Sequence, residues 1–164
     1  VRPGRAFFDR RPALTVTLRP ARSTDAGATG EILHGFSREN DWMPDLHSCA
    51  ETIAFCGRMI DQGWVTVAEV SDTVVGFLAL NGTDVHSLYL TPAARGQGIG
   101  KRLLDHAKAQ HPCLTLFAFQ ANTGACRFYE RNGFAEVARS DGADNDENLP
   151  DIKYVWRSEG AENG

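Results

Sequence analysis

Three glycines at alternate positions, Gly96, Gly98 and Gly100, stand between Arg95 and Lys101 in the stretch LYLTPAARGQGIGK that runs from Leu88 to Lys101. Glycine lets a backbone approach a ligand closely and adopt conformations closed to other residues. Where such a stretch opens a helix, the first-turn amides have no intrahelical partner and carry about half a positive charge. That combination suits an anion, a pyrophosphate above all, and Arg95 and Lys101 add full charges beside it. The expected cradle is therefore Arg95, Gly96, Gln97, Gly98, Ile99, Gly100 and Lys101. Spacing excludes two common phosphate loops. A Walker A loop needs one more residue before its Gly-Lys and then Ser or Thr, whereas Arg102 follows Lys101 here. A dinucleotide fingerprint needs GxGxxG, and this chain has GxGxG. A turn whose glycines only avoid clashes is the remaining alternative.

A second informative segment is NTGACRFYERNGF, from Asn122 to Phe134. With Arg95, Gly98 and Gly100, it resembles the GNAT acetyltransferase family, whose signatures are Arg/Gln-x-x-Gly-x-Gly/Ala and Asn-x-x-Ala-x-x-Phe-Tyr-x-x-x-Gly-Phe. The opening Leu18-Arg19-Pro20-Ala21 with Asp25 is similar to that family's first strand and helix entry. The resemblance implies the acyl-CoA N-acyltransferase fold and acetyl-CoA as co-substrate. It also implies a pantetheine arm lying between two splayed parallel strands. Leu88, Tyr89 and Leu90 would then offer main-chain hydrogen bonds to the arm, with the Leu90 N–H facing the developing oxyanion. Asn122 would bind the arm from the other side, and Tyr129 would protonate the leaving sulfur.

Acetyl transfer to an amine also needs a proton acceptor, because an alkylamine with a pKa near ~10 is mostly protonated at neutral pH. His86 is the first candidate base, since imidazole moves protons readily near neutrality. Strand alternation places Asp84, His86, Leu88 and Leu90 on one side and Val85, Ser87 and Tyr89 on the other. Arylalkylamine acetyltransferases resemble this stretch, with histidines at the positions of Asp84 and His86; only the second is present here. A histidine merely hydrogen-bonded at a strand start is the alternative. Glu69 is a second candidate base. No His, Cys, Asp and Glu group has metal-ligand spacing, so no metal is expected. The acidic stretch with Asp141, Asp144, Asp146, Glu147 and Asp151 could attract a cationic acceptor, or could simply be a solvated hairpin. Trp42 and Met43 could wall the same cleft.

The elements that must position these residues follow from pattern and punctuation. Leu14 to Leu18 alternates as a strand should, and Arg19-Pro20 breaks it. Ser23 or Thr24, with Asp25, caps a helix to about Glu39, and a second helix covers Ala50 to Asp61 and stops at Gly63. Trp64 to Val70 and Thr73 to Leu80 form a hairpin, and a strand follows over Asp84 to Leu90. Gly98 to Gln110 is helical. Leu114 to Phe119 is an apolar strand expected to be buried on both faces. Thr123 to Arg131 is a helix, and strands at Phe134 to Arg139 and Ile152 to Trp156 complete the chain. The order β-α-α-β-β-β-α-β-α-β-β predicts an α/β (α+β) fold. It should hold a mixed sheet of about seven strands, antiparallel first and parallel later, flanked by about four helices.

Length and composition agree with one domain over 1–164, its core at about 14–157 and flexible ends at 1–12 and 158–164. The chain has 164 residues, and its net charge of -4 disfavours a general nucleic-acid binder. No apolar run reaches the roughly 20 residues that span a bilayer, and the start does not read as a secretory signal. The four cysteines form no CxxC pair and read as reduced thiols, so a cytoplasmic location is expected. The predicted function is an N-acetyltransferase acting on a primary amine of a small cationic molecule, possible as a homodimer. Its rivals are a peptide or protein N-acetyltransferase, and a non-catalytic acyl-CoA sensor.

Overall fold

The computed structural model describes residues 15–160; the expected strand start at Leu14, the segment 1–12 and the last residues 161–164 lie outside them. Strand β1, Val16–Pro20, is followed by a 3-10 turn, Ser23–Asp25, and by helix α1, Ala26–Glu39. Arg19 and Pro20 do not break β1 as expected but are its last two residues, because β1 is an edge strand and a missing N–H on its open side costs no ladder bond. The expected cap is replaced by a clasp. The Asp25 carboxylate accepts the Arg22 N–H at 2.7 Å and is gripped by the Arg19 guanidinium at 2.8 and 3.0 Å. Helix α2, Cys49–Asp61, begins at a reciprocal box in which Ser48 Oγ accepts the Glu51 N–H and Glu51 accepts the Ser48 N–H, both at 3.1 Å.

Strands β2, Val65–Val70, β3, Thr73–Asn81, and β4, Asp84–Leu90, form an antiparallel meander with β1. A 3-10 turn, Pro92–Ala94, leads to helix α3, Ile99–Lys108, then to strand β5, Cys113–Phe119, and helix α4, Thr123–Arg131. The hairpin β6, Ala135–Ser140, and β7, Asp151–Arg157, ends the fold, and Ser158 is still tied in by its N–H to the Pro112 carbonyl at 2.8 Å. The sheet order is β1-β2-β3-β4-β5-β7-β6. Only β4 and β5 run parallel, which corrects the expected parallel half. The reason is the last hairpin: it folds back so that β7, not β6, lies against β5.

Two apolar layers hold the sheet. Ile99, Leu103 and Leu104 of α3 and Tyr129 of α4 pack with Leu78, Leu114, Leu116 and Tyr154 on one face. On the other face, Ile32 of α1 with Cys56 and Met59 of α2 packs on Val65, Val67, Phe77 and Ala79 of β2 and β3. That second layer takes no residue from β5. As a result β5 buries only Leu114, Leu116 and Ala118, while Phe117 is 60% exposed, so the expectation of burial on both faces is wrong. The period-2 pattern holds, but the apolar layer under α1 and α2 does not extend over β5. No helix among the described residues is long and apolar enough to cross a membrane.

Candidate active site

Parallel strands β4 and β5 are joined at a single register position, Asp84 opposite Thr115, and part beyond it. The gap opens a cleft of about 650 Å³, bordered by Leu88 and Leu90 on β4 and by Phe117 and Phe119 on β5. The ladder with β3 decides which backbone groups face it. Thr91 donates its N–H to the Val75 carbonyl at 2.8 Å, which makes that pair, and every second pair after it, the hydrogen-bonded ones. Leu90 opposite Gly76 and Leu88 opposite Leu78 are therefore the alternate pairs, and their N–H and C=O groups point away from β3, toward the gap. A Cβ on Gly76 would lie 2.3 Å from Leu90 Cδ2 and 3.0 Å from the Tyr89 carbonyl, so this glycine lets Leu90 lie across β3.

Beyond β4 the glycine loop turns the chain into α3. Gly96 and Gly98 have φ of 75° and 80°, the left-handed region that favours glycine, and a Cβ on either would meet nothing within 4 Å. Both line the cleft. Gly100 has a different task, since its Cβ would sit 3.4 Å from Phe128 Cζ; it lets α3 pack closely on α4. Gln97 is not among the cleft residues, and its side chain donates to the Ala93 carbonyl at 2.9 Å. The Ile99 side chain is buried in the core, which leaves only its backbone for a ligand. Lys101 borders the cleft and pairs with Asp105 at 2.6 Å. Arg95 reaches across the mouth to Glu39 at the end of α1, at 2.5 and 3.1 Å, and to the Leu90 carbonyl at 3.2 Å.

From the opposite wall, Asn122 caps α4 by accepting the Ala125 N–H at 3.1 Å, with its amide at the cleft. Tyr129 is 9% exposed, and no hydrogen bond to its hydroxyl occurs among the described residues; it too borders the cleft. Burial, aided by Tyr89 and then Cys126, pushes its phenol far above the ordinary value, so it stays protonated at any physiological pH. Burial pushes Tyr89 up to about 12, with a smaller contribution from the Glu147 charge.

The two candidate bases fare differently. His86 borders the cleft, but simple alternation fails at it: Leu80 faces Val85 and Ala79 faces Ser87, so His86 is the extra residue of a bulge. Val85 consequently joins Leu88 in the core beneath α3, while Ser87 turns toward Met59 of α2. The His86 ring lies between Phe55 and Trp64, with centroids at 5.7 and 5.8 Å, and Nδ1 is 3.2 Å from Ser87 Oγ. The expected sidedness of β4 is thus corrected at its first half. Glu69 is not brought to the cleft. Its carboxylate takes the Arg19 Nε–H at 2.5 Å and completes the clasp with Asp25.

An aromatic rim, of which only Trp42 and Tyr89 were singled out in the sequence, extends from the cleft. Tyr89 meets Phe36 at 5.0 Å, Phe36 meets Trp42 at 6.0 Å, and Trp42 meets Phe119 at 5.9 Å. Helical spacing gave no sign that Phe36 and Glu39 would border the site, because only tertiary packing brings the end of α1 there. The acidic loop is ordered: Asn145 both donates to and accepts from the Leu149 backbone, and Asp151 accepts from Ser140 Oγ at 2.6 Å.

Residues 61–136 match the family model described as an acetyltransferase (GNAT) domain. Over that segment the chain is similar to GNAT acetyltransferases. The chain is 38% identical over 93 residues to the peptidyl-lysine N-acetyltransferase YjaB of Salmonella typhimurium, covering 57% of the chain and 63% of that relative. Its matches to that protein, to YjaB of Escherichia coli and to YiaC of Escherichia coli span 63%, 52% and 66% of their lengths. Among solved structures, apo YjaB from Escherichia coli superposes with a TM-score of 0.74 at 24% identity, over 88% of this chain and 99% of that one. YncA from Salmonella typhimurium, solved with its cofactor acetyl-CoA, gives a TM-score of 0.67 at 20% identity, over 87% and 94%. The fold expected from the sequence is the fold found.

Proposed function

We propose that this chain is a GNAT acetyltransferase, which transfers the acetyl group of acetyl-CoA to a primary amine. The observation that carries the reading is the splay of β4 from β5. It leaves the Leu88 and Leu90 amides facing a cleft with the glycine loop at one end and, on its wall, the Tyr129 phenol, which has no hydrogen-bond partner among the described residues. The residues fit the co-substrate chemically. A diphosphate finds the free amides after Gly96 and the charge of Lys101, and a pantetheine arm finds an extended strand with unused N–H and C=O groups.

In the reaction the amine nitrogen attacks the thioester carbonyl, forming a C–N bond and a tetrahedral oxyanion. The Leu90 N–H is the proposed donor to that charge; such a donor is commonly worth ~10²–10³ in rate. Collapse breaks the C–S bond, and the Tyr129 phenol gives its proton to the departing thiolate, to be restored from the amine through cleft water. A phenol held neutral by burial acts as a donor and stays uncharged until the thiolate forms. His86, at the closed end where β4 and β5 still pair, is the candidate that receives the amine proton.

For the acceptor, the aromatic rim and the neighbouring Glu147 support a cationic amine, since aromatic faces and a carboxylate both favour an ammonium group. A small amine is the first reading. A peptide lysine is the second, favoured by relatives named peptidyl-lysine N-acetyltransferases. Release of coenzyme A thiol from acetyl-CoA, measured with a panel of small amines and lysine peptides, separates the two. Turnover with no member of the panel, despite acetyl-CoA binding, would favour the sensor instead. Glu147→Gln is expected to raise KM for the amine about threefold to tenfold at little cost in kcat; an unchanged KM removes Glu147 from the acceptor site.

A further inference from the structure

Arg95 holds two partners that the proposed co-substrate would need or meet. One Nη atom donates to the Leu90 carbonyl at 3.2 Å, a carbonyl that the β3 ladder leaves pointing into the cleft. The same guanidinium forks onto Glu39 at 2.5 and 3.1 Å, and Glu39, Leu90 and Arg95 all border the cleft. Arg95 is 43% exposed and Glu39 32%, so their bond is partly solvated and weak enough to be exchanged. A diphosphate bound on the amides after Gly96 would compete for that fork with more charge than a single carboxylate.

We propose that Glu39 acts as a latch on Arg95: without ligand it holds the guanidinium across the cleft mouth and over the Leu90 carbonyl, and the diphosphate draws Arg95 away and frees that carbonyl. This inference rests on the coenzyme A reading above. Glu39 is a positioning residue in it, acting through Arg95 and touching no reacting atom. The latch makes cofactor entry a two-part event, in which phosphate capture at the loop uncovers the backbone acceptor that a pantetheine amide then uses.

The test is calorimetric titration of the whole chain with coenzyme A, for wild type, Glu39→Gln, Arg95→Ala and the double variant. Glu39→Gln should bind about threefold to tenfold more tightly than wild type. That gain should vanish in the Arg95→Ala background, because Glu39 acts only through Arg95. Weaker or unchanged binding by Glu39→Gln overturns the latch, as does an equal gain in both backgrounds, which would mean plain charge repulsion. Pantetheine, which carries no phosphate, supplies a second readout by ligand-observed NMR. It should bind Arg95→Ala at least as well as wild type, even though coenzyme A binds that variant less well. A loss of pantetheine binding would overturn the claim about the Leu90 carbonyl. Wild type that binds no coenzyme A would sink the co-substrate reading along with the latch; binding with the wrong response at Glu39 sinks the latch alone.

Discussion

Tyr129 combines three properties seldom found together: near-complete burial, no hydrogen-bond partner among the described residues, and a place on a cleft wall. Burial raises the cost of the phenolate, so the phenol keeps its proton and serves as a hydrogen-bond donor to the departing sulfur, passing on a proton only as the amine replaces it. Tyr129→Phe should lower kcat by about 100-fold and leave coenzyme A affinity unchanged, as steady-state kinetics with a parallel titration would register. A kcat within a few-fold of wild type would rule out the donor role. Since the phenol is held neutral far above its ordinary value, ionisation of Tyr129 should cause no fall in rate between pH 7 and 10. Gly98→Ala tests the cradle. Its φ of 80° strains any side chain by ~1–2 kcal/mol, and the new methyl points into open space where phosphate oxygens would lie. Coenzyme A should bind at least tenfold more weakly, with a fold that still melts cooperatively. At this scale the sequence was readable where a residue type is unusual for its place, as with the alternate glycines, two of which take the left-handed backbone. It was silent on Glu39 and Phe36, whose types are ordinary and whose role comes from where α1 ends.

Elements were legible to within a residue or two because strands and helices here follow their own periods and stop at Gly63, Pro112 and Gly133. Two failures have local causes. The bulge at His86 shifts β4 by one residue, and no composition signal marks it. The second is β5, whose apolar sequence suggested cover on both faces although α1 and α2 stop short of it. The strand pair β3–β4 carries its own test. A methyl at Gly76 would collide with Leu90 at 2.3 Å and the Tyr89 carbonyl at 3.0 Å. Gly76→Ala should therefore push Leu90 off its position and weaken coenzyme A binding more than it changes the melting temperature. A variant that binds normally would show that the Leu90 backbone is not part of the site.

For the molecule as a whole, the order of elements implied the layered architecture, but not how its first strand is tied down. That falls to Arg19, which joins β1 to Asp25 and, through Glu69, to β2. The Arg19 guanidinium, with help from the Arg22 N–H and against the effect of burial, holds the Asp25 carboxyl below its ordinary value. A depressed carboxyl contributes stability that is complete above its ordinary value near ~4 and disappears as pH falls through the folded value. Asp25→Asn should therefore cost about 1–3 kcal/mol at pH 7, and chemical denaturation should show this gap closing as the pH approaches 2. A gap that stays constant with pH would assign the loss to packing. Glu69, read from the sequence as a possible base, belongs to this brace instead.

Because β4 and β5 share one rung, alternate residues of a single strand live in different worlds. The amides of Ser87, Tyr89 and Thr91 are engaged with β3, while those of Leu88 and Leu90 face the opening. In deuterium oxide the second set should exchange quickly beside slow neighbours, giving a striped pattern along one strand. Saturating coenzyme A should slow the fast stripes first, so the isotope clock of two leucines would time the filling of the crevice from inside the backbone itself.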